Sequence, residues 1–253
     1  MSAELVHFTV SDAIAQITLD RAPVNALSMP LIDALLGALE KARDDASVRA
    51  VIICSAHKVF CAGLDLDIVR GKRGTETKLF LERLYFALND VQYRMGKPTI
   101  AAVDGPARAG GMTIAISCDM IIAGEGATFG YPEIDLGLVP AIHFVHLPRI
   151  VGRHRAFELL FSGRSFGAAE AAALGLVSRV VPDATLRAEA RAMARAFAEK
   201  PRTAKRLARA AFLRANDDRR GIAEAVANFC DVAATAEAQE GMRAFIEKRA
   251  LKW

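Results

Sequence analysis

Apolar and polar positions alternate over the first twenty residues and then change to helical spacing. Two runs, 5–10 and 14–19, alternate on either side of a short polar turn, which predicts a β-hairpin. Ser28 offers a helix cap, and behind it apolar residues recur on one face: Ile32, Leu35, Leu36 and Leu39. A β-branched run at 50–55 predicts a buried strand. The chain therefore opens as strand, strand, helix, strand.

The rest of the chain mixes short apolar runs with longer stretches of helical spacing. We predict strands at 99–103, 119–123 and 128–130, and helices at 76–95, 153–162 and 167–174. From about residue 182 the spacing of the apolar residues is helical throughout. The pattern predicts an α/β body over residues 1–180 and a C-terminal helical region over residues 181–253.

Residues 102–119 join an apolar strand to a predicted helix through a turn of small residues. Gly110 and Gly111 close the turn, and their lack of a side chain lets the backbone approach a ligand. The first N–H groups of a helix have no internal acceptor and favour an anionic oxygen. We therefore predict that this junction binds a phosphate or stabilises an oxyanion that forms during a reaction.

Composition narrows the class of protein. The chain has 253 residues, of which 53% are hydrophobic, enough for one large domain with a sizeable core. No apolar run is as long as a membrane span, and residues 1–4 do not begin a signal peptide. The four cysteines, Cys54, Cys61, Cys118 and Cys230, lack metal-ligand spacing. We therefore expect reduced thiols, no metal site, no membrane association and a cytoplasmic location.

The formal net charge is +4, and basic residues gather in 187–220 and 243–252. Acidic residues are mixed among them, which is typical of solvated helix faces. We therefore expect no nucleic-acid partner, although a phosphate-bearing small ligand would need only a few of these charges.

Five segments resemble the crotonase superfamily, the enoyl-CoA hydratases and isomerases, in order and spacing. In chain order they are 24–28, 60–66, 109–111 with 118–119, 129–134 with 138–140, and 240–249. The resemblance covers nearly the whole chain. It implies an α/β crotonase (ClpP/crotonase-like) fold, a spiral of ββα units with a C-terminal helical region for oligomerisation and CoA contacts. It also implies a homotrimer or a hexamer built as a dimer of trimers.

The resemblance gives the glycine junction a specific ligand. In this family the carbonyl oxygen of an acyl-CoA thioester lies between two backbone N–H groups, which here would be those of Leu64 and Gly110. They would stabilise the negative oxygen of an enolate. Coenzyme A would arrive as part of the substrate, with no separate cofactor.

Hydratases of the family usually carry two glutamates beyond this oxyanion hole, and the matching positions here are Thr113 and Glu133. Thr113 can hydrogen-bond a water but cannot ionise to activate it. One acid alone can shuttle a proton from C2 to C4, so we expect enoyl-CoA isomerisation, or another reaction through an enolate, rather than fast hydration. An apolar pocket would raise the pKa of Glu133 and suit it to proton transfer.

A second departure from the family pattern lies at 140–146, where bulky residues, two of them histidines, stand in place of a glycine-rich turn. His143 and His146 stand one helical turn apart. Either a histidine reaches the acyl pocket as a proton donor or acceptor, or both pack against neighbouring elements. We expect 141–146 to line the acyl pocket together with 66–84.

Coenzyme A contacts follow from the same resemblance. The main chain near residue 62 and at 24–26 would meet the adenine and pantetheine, and Lys248 would offer a point charge to a phosphate. Asp65 could instead bind backbone N–H groups in a turn. The predicted binding residues are Val24, Ala26, Ala62, Gly63, Asp65, Leu66, Gly111, Phe245 and Lys248. The predicted catalytic residues are Glu133, Leu64 and Gly110, with Thr113 and His143 as further candidates.

Three alternatives stay open at this point. The first is a hydratase (a lyase) that uses Glu133 alone or with a histidine. The second is a catalytically weak acyl-CoA-binding protein that keeps the oxyanion hole. The third is RNA binding through the basic helices, with affinity that falls steeply with salt.

Overall fold

The computed structural model describes residues 4–70, 74–217 and 221–251. The strands are β1 (Val6–Ser11), β2 (Ile14–Leu19), β3 (Ala50–Ser55), β4 (Thr99–Val103), β5 (Ala107–Arg108), β6 (Met120–Gly124), β7 (Thr128–Gly130), β8 (Ser165–Gly167) and β9 (Arg179–Val181). The helices are α1 (Met29–Asp44), α2 (Gly74–Leu81), α3 (Leu88–Arg94), α4 (Gly110–Ser117), α5 (Ala141–Val151), α6 (Arg153–Ser162), α7 (Ala168–Ala173), α8 (Leu186–Ala198), α9 (Arg202–Ala215), α10 (Ile222–Ala233) and α11 (Ala236–Ile246).

Strands and helices with strong periodic signals lie where the sequence predicts them. The hairpin of β1 and β2 is confirmed, with Val6 opposite Leu19. β3 and β4 have the predicted bounds because both are buried along their whole length. Ser28 caps the start of α1, and its hydroxyl accepts from the Leu31 N–H at 3.4 Å.

The predicted helix at 76–95 is interrupted by a wider turn. α2 and α3 are joined by a π-helical segment, Glu82–Ala87. Such segments push side chains out of the regular helical pattern and often occur at functional sites. β5, β8 and β9 were not predicted, since strands of two or three residues rarely show a period, and of the strands this short only β7 was predicted.

The strands form two sheets. The larger has the order β1-β2-β3-β4-β6-β9, with β1 antiparallel to β2 and every later pair parallel. The smaller has the order β5-β7-β8. Parallel strands need crossover connections, and the helices α1, α3 and α4 supply several of them.

Both faces of the larger sheet are covered, as a parallel sheet requires. Val51, Ile53 and Ala101 belong to the main core, while Ile52 and Ile100 face a second cluster that α8 closes with Leu186, Ala190 and Ala194. The packing of the sheet therefore continues past residue 180. No helix in the ranges given above is long and apolar enough to cross a bilayer.

Candidate active site

Two loops that leave the same edge of the larger sheet come together. The loop after β3 bridges to two other segments, with Cys61 paired to Ala107 and Leu64 paired to Leu27. Leu27 donates its N–H to Gly63 O at 2.7 Å, and Asp65 donates its N–H to Leu27 O at 3.0 Å. The Leu64 N–H between them has no acceptor in the described part of the chain.

Gly63 lets the two loops touch. A Cβ on this residue would lie 2.7 Å from the Ala109 Cβ, 3.0 Å from Arg108 O and 3.4 Å from Gly110 N. Its φ of +96° also lies in the region that favours glycine. Only a glycine here brings the Leu64 peptide beside Gly110 without strain.

The turn that delivers Gly110 is itself strained. Ala109 has φ +49° and ψ −117°, an uncommon conformation for a residue with a side chain. Its carbonyl accepts from the N–H groups of Met112 at 2.9 Å and Thr113 at 3.2 Å. Gly110 begins α4, and its N–H has no acceptor among the residues the structure describes. The unpaired N–H groups of Leu64 and Gly110 therefore lie on adjoining loops.

Glu133 lies on the short 3-10 helix Pro132–Leu136 and lines the same cavity as Leu64 and Gly110. The cavity has a volume of about 230 Å³ and is mostly apolar. Burial raises the pKa of Glu133 to about 8. Its Oε2 is buried without a hydrogen-bond partner in the structure. A carboxyl with such a pKa is suited to take up or release a proton near neutral pH.

Some of the predicted binding residues line this cavity and others support it from behind. Those that line it are Ala62, Leu64, Leu66, Gly110, Glu133 and Phe245. Val24 accepts a hydrogen bond from the Ala62 N–H at 3.0 Å, and a Cβ on Gly111 would lie 2.3 Å from Cys61 O. Both residues therefore shape the 60–66 loop. Lys248 lies just after α11, on the exposed surface.

Asp65 has the turn role that the sequence offered as an alternative. It caps the 3-10 helix Leu66–Ile68 and accepts from the Asp67 N–H at 3.2 Å. Arg21, which the sequence did not single out, donates to Asp65 Oδ2 at 2.7 Å and to Ala26 O at 2.6 Å. This side chain thus ties the 24–26 segment to the 60–66 loop. Ala26 and Asp65 themselves do not line the cavity.

Thr113 and His143 lie behind the cavity wall rather than in it. Both are buried, and His143 Nε2 lies 3.3 Å from Thr113 Oγ1 and 3.4 Å from Ala109 O. Burial, followed by the charge of His146, lowers the pKa of His143 to about 3. The imidazole is therefore neutral, and a proton on Nε2 can bond the Ala109 carbonyl.

Residues 141–146 do not line the described cavity, so that expectation was wrong. They begin α5, which places His143 against Thr113, with the ring of Tyr131 4.6 Å from the imidazole. The apolar wall comes instead from Leu81, Leu84, Tyr85, Leu136, Leu138 and Phe229. Of these, only Leu81 and Leu84 fall in the predicted 66–84 stretch.

Asp135 is a cavity residue that the sequence gave little reason to select. It follows Glu133 by two positions and lines the same cavity, but it is exposed, and its carboxyl oxygens lie 2.8 and 2.9 Å from where a Cβ on Gly163 would be, a residue that does not line the cavity. The only sign of Asp135 in the sequence is its place between 129–134 and 138–140, two segments that resemble the family. No three His, Cys, Asp or Glu side chains in the described ranges are grouped to hold a metal ion.

The fold and this site define the class of protein, and comparison with known proteins gives its family. The profile of the enoyl-CoA hydratase/isomerase family matches residues 9–253. An enoyl-CoA hydratase structure from Mycobacterium avium subsp. paratuberculosis superposes with a TM-score of 0.86 at 27% identity, covering 98% of each chain. The predicted crotonase fold is confirmed. The chain belongs to the enoyl-CoA hydratase/isomerase family of enzymes.

Curated relatives are similar to this chain over nearly its full length. A protein named probable enoyl-CoA hydratase in Mycobacterium tuberculosis is 36% identical, with 99% of this chain and 98% of the relative covered. Another of that name in Bacillus subtilis is 34% identical, with 96% of both chains covered.

Proposed function

We propose that this protein is an enoyl-CoA isomerase, which moves the double bond of an enoyl-CoA thioester from C3=C4 to C2=C3. The observation that carries the proposal is the buried carboxyl of Glu133 in a cavity bordered by the unpaired N–H groups of Leu64 and Gly110. Glu133 and the two residues that carry the donors line one apolar cavity, where interactions with a reacting thioester are strong.

The reaction needs one base and one oxyanion hole. The Leu64 and Gly110 N–H groups donate to the thioester oxygen while ionised Glu133 removes a proton from C2 of a 3-enoyl-CoA. The C–H electron pair moves into the thioester, and a dienolate forms with its negative charge on that oxygen. Protonated Glu133 then returns the proton to C4, the electrons shift back, and the C2=C3 bond remains.

Thr113 supports isomerisation over hydration. A hydratase of the usual kind would place a second carboxylate there to hold the attacking water, and threonine cannot ionise. Here the side chain is buried behind the cavity wall, near His143. Thr113 and His143 are therefore proposed to support the Ala109 carbonyl, next to Gly110, rather than to contact the substrate.

Hydration is the second candidate, and the names of the relatives are the observation that favours it. Glu133 would then have to activate the water alone or with a histidine, because the Asp135 carboxyl lies against Gly163. The relatives described above are named hydratases. If the enzyme is a hydratase, its product from a 2-enoyl-CoA is a 3-hydroxyacyl-CoA.

The nucleotide end of coenzyme A is proposed to lie at the mouth of the cavity. Phe245 borders the cavity with 62% of its surface exposed, and Lys248 follows it by three residues. An aromatic face and an ammonium group suit an adenine and a phosphate. The homotrimer or hexamer stays a prediction from the resemblance.

The pH dependence of turnover tests this assignment. Glu133 must be ionised to remove the C2 proton, and its pKa in the free enzyme is about 8. We expect kcat/KM for a 3-enoyl-CoA to rise with pH through about 8 and then level off, because kcat/KM follows the free enzyme. Initial rates of conjugated-enoyl formation, measured across this range, give the profile.

A His143→Leu variant identifies the group that titrates. The pKa of His143, about 3, lies far below this range, so the rise near pH 8 should persist in the variant. His154→Leu, which changes an exposed histidine, is the matched control. Loss of the rise in His143→Leu alone would identify the histidine as the base, and absence of turnover at every pH would contradict the proposed function.

A further inference from the structure

A second cleft lies at the opposite edge of the larger sheet from the candidate active site. Its volume is about 290 Å³, and seven of the eleven residues around it are lysine or arginine. Arg49 directly precedes β3 and Lys97 lies just before β4, whereas the active-site loops follow the other ends of these strands. A five-residue strand separates the two edges by about 16 Å. The cleft is therefore distinct from the acyl cavity.

Two of the seven cations have carboxylate partners. Arg43 forms a two-pronged pair with Asp44 at 2.7 and 2.9 Å, and Arg94 pairs with Asp90 at 2.9 Å. The other five form no ion pair with any residue in the described ranges: Arg49, Lys97, Arg202, Lys205 and Arg206. No acidic residue of the described ranges lines the cleft, although the charges of Asp45 and Asp44 act on Lys97 from nearby. The cleft thus carries an excess of positive charge.

Backbone carbonyls hold four of these five cations, all except Arg206, in place without neutralising them. Arg49 donates to Lys200 O at 2.6 Å, and Arg202 donates to Ala46 O at 2.6 Å. Lys205 donates to Arg49 O at 3.0 Å and to Phe197 O at 2.8 Å. The side chains are therefore ordered before any ligand arrives, which lowers the entropic cost of binding.

Several donors around the cleft have no acceptor among the residues that the structure describes. The Nε of Arg49 is buried without a hydrogen-bond partner. Arg206, whose stem lies 3.5 Å from where a Gly96 Cβ would be, bonds no other described residue. Arg202 is the first residue of α9, a helix of 14 residues. The first N–H groups of this helix therefore lie at the end that carries the cleft residues Arg202, Lys205 and Arg206. Burial, then the charges of Arg49 and Arg202, lowers the pKa of Lys205 to about 8.

We propose that this cleft binds a multiply charged phosphate ligand through a pyrophosphate group. A guanidinium group can donate two hydrogen bonds to one phosphate. Two adjacent phosphates could therefore pair with several of the five cations at once. The enclosed volume suits a small anion rather than an extended strand. Because the site lies away from the acyl cavity, the proposal does not depend on the proposed function.

Calorimetric titration of the whole protein with inorganic pyrophosphate tests the proposal. We expect saturable binding of one pyrophosphate per chain, weakened about tenfold or more in Arg206→Gln, because a charge-assisted contact is lost. Arg206 bonds no neighbour, so the variant should fold normally. Arg214→Gln, an exposed arginine further along the same helix, removes the same charge outside the cleft and should bind as the wild type does.

Further ligands identify the source of the phosphate. ADP that competes with pyrophosphate, and that loses affinity in Arg206→Gln, would indicate a nucleotide. If pyrophosphate binds but ADP does not compete, the ligand is an inorganic anion. The proposal is overturned if pyrophosphate does not saturate, if Arg214→Gln loses as much affinity, if only Lys248→Gln weakens binding, or if a single-stranded RNA binds more tightly.

Discussion

Replacement of Glu133 by Gln is expected to lower kcat/KM for a 3-enoyl-CoA by about 10²–10⁴-fold. The amide has nearly the same shape and volume but cannot accept the C2 proton as a base. Thioester binding should change little, because the Leu64 and Gly110 N–H groups and the apolar wall remain. Steady-state rates together with a binding titration of a non-reactive acyl-CoA separate the two effects.

The Gln variant also reports on the buried state of the carboxyl. In the folded protein the Glu133 carboxyl keeps its proton up to pH about 8, whereas in the unfolded chain it loses the proton near pH 4.5. Wild-type stability should therefore fall as pH rises from 4.5 to 8, and that fall should be absent in Glu133→Gln. Glu125→Gln, on the exposed surface, is the control and should leave both turnover and this slope unchanged. Near-normal turnover in Glu133→Gln would show that Glu133 is not the base, whereas acyl-CoA binding without turnover in either protein would leave an acyl-CoA-binding role as the better account.

Replacement of Gly63 by Ala is expected to lower kcat by about 10²–10³-fold, the usual effect of losing one oxyanion donor. The new Cβ would meet the Ala109 Cβ at 2.7 Å and Arg108 O at 3.0 Å, and φ is +96°. The loop must shift to relieve this contact, which moves the Leu64 N–H away from Gly110. Glu133 is untouched, so the rise in rate near pH 8 should persist at the lower rate.

Gly37→Ala is the matched control for this substitution. Gly37 lies on the exposed side of α1, and a Cβ there meets no atom within 4 Å. It should leave kcat unchanged and stabilise the helix slightly. Full activity in Gly63→Ala, with the fold intact by circular dichroism, would show that the Leu64 N–H does not act on the transition state.

The sequence predicted what depends on local pattern. β3 and β4 are buried on both faces, so their apolar runs are continuous and their bounds could be read directly. The small-residue turn before a helix predicted that the Gly110 junction binds a phosphate or stabilises an oxyanion, the family resemblance narrowed this to a thioester oxyanion, and both stay predictions. The structure adds the reason for Gly63, whose contact with Ala109 spans two loops far apart in the chain.

Contacts between distant segments could not be predicted in this way. Thr113 and His143 are thirty residues apart, and no local pattern shows that they meet. Phe229 reaches the cavity from α10, and Arg21 joins two loops by a single side chain. The five unpaired cations of the second cleft come from the starts of two strands and one helix. Along the sequence they look like solvated surface charge.

The fate of oxygen in the reaction tests the central claim most directly. The protein is incubated with a 3-enoyl-CoA in ¹⁸O-labelled water, and the products are followed by mass spectrometry. If Glu133 acts as a lone proton shuttle, the first and main product is the 2-enoyl-CoA without label. If labelled 3-hydroxyacyl-CoA is instead the main product, and forms as fast from a 2-enoyl-CoA, the enzyme adds water and the assignment as an isomerase is wrong.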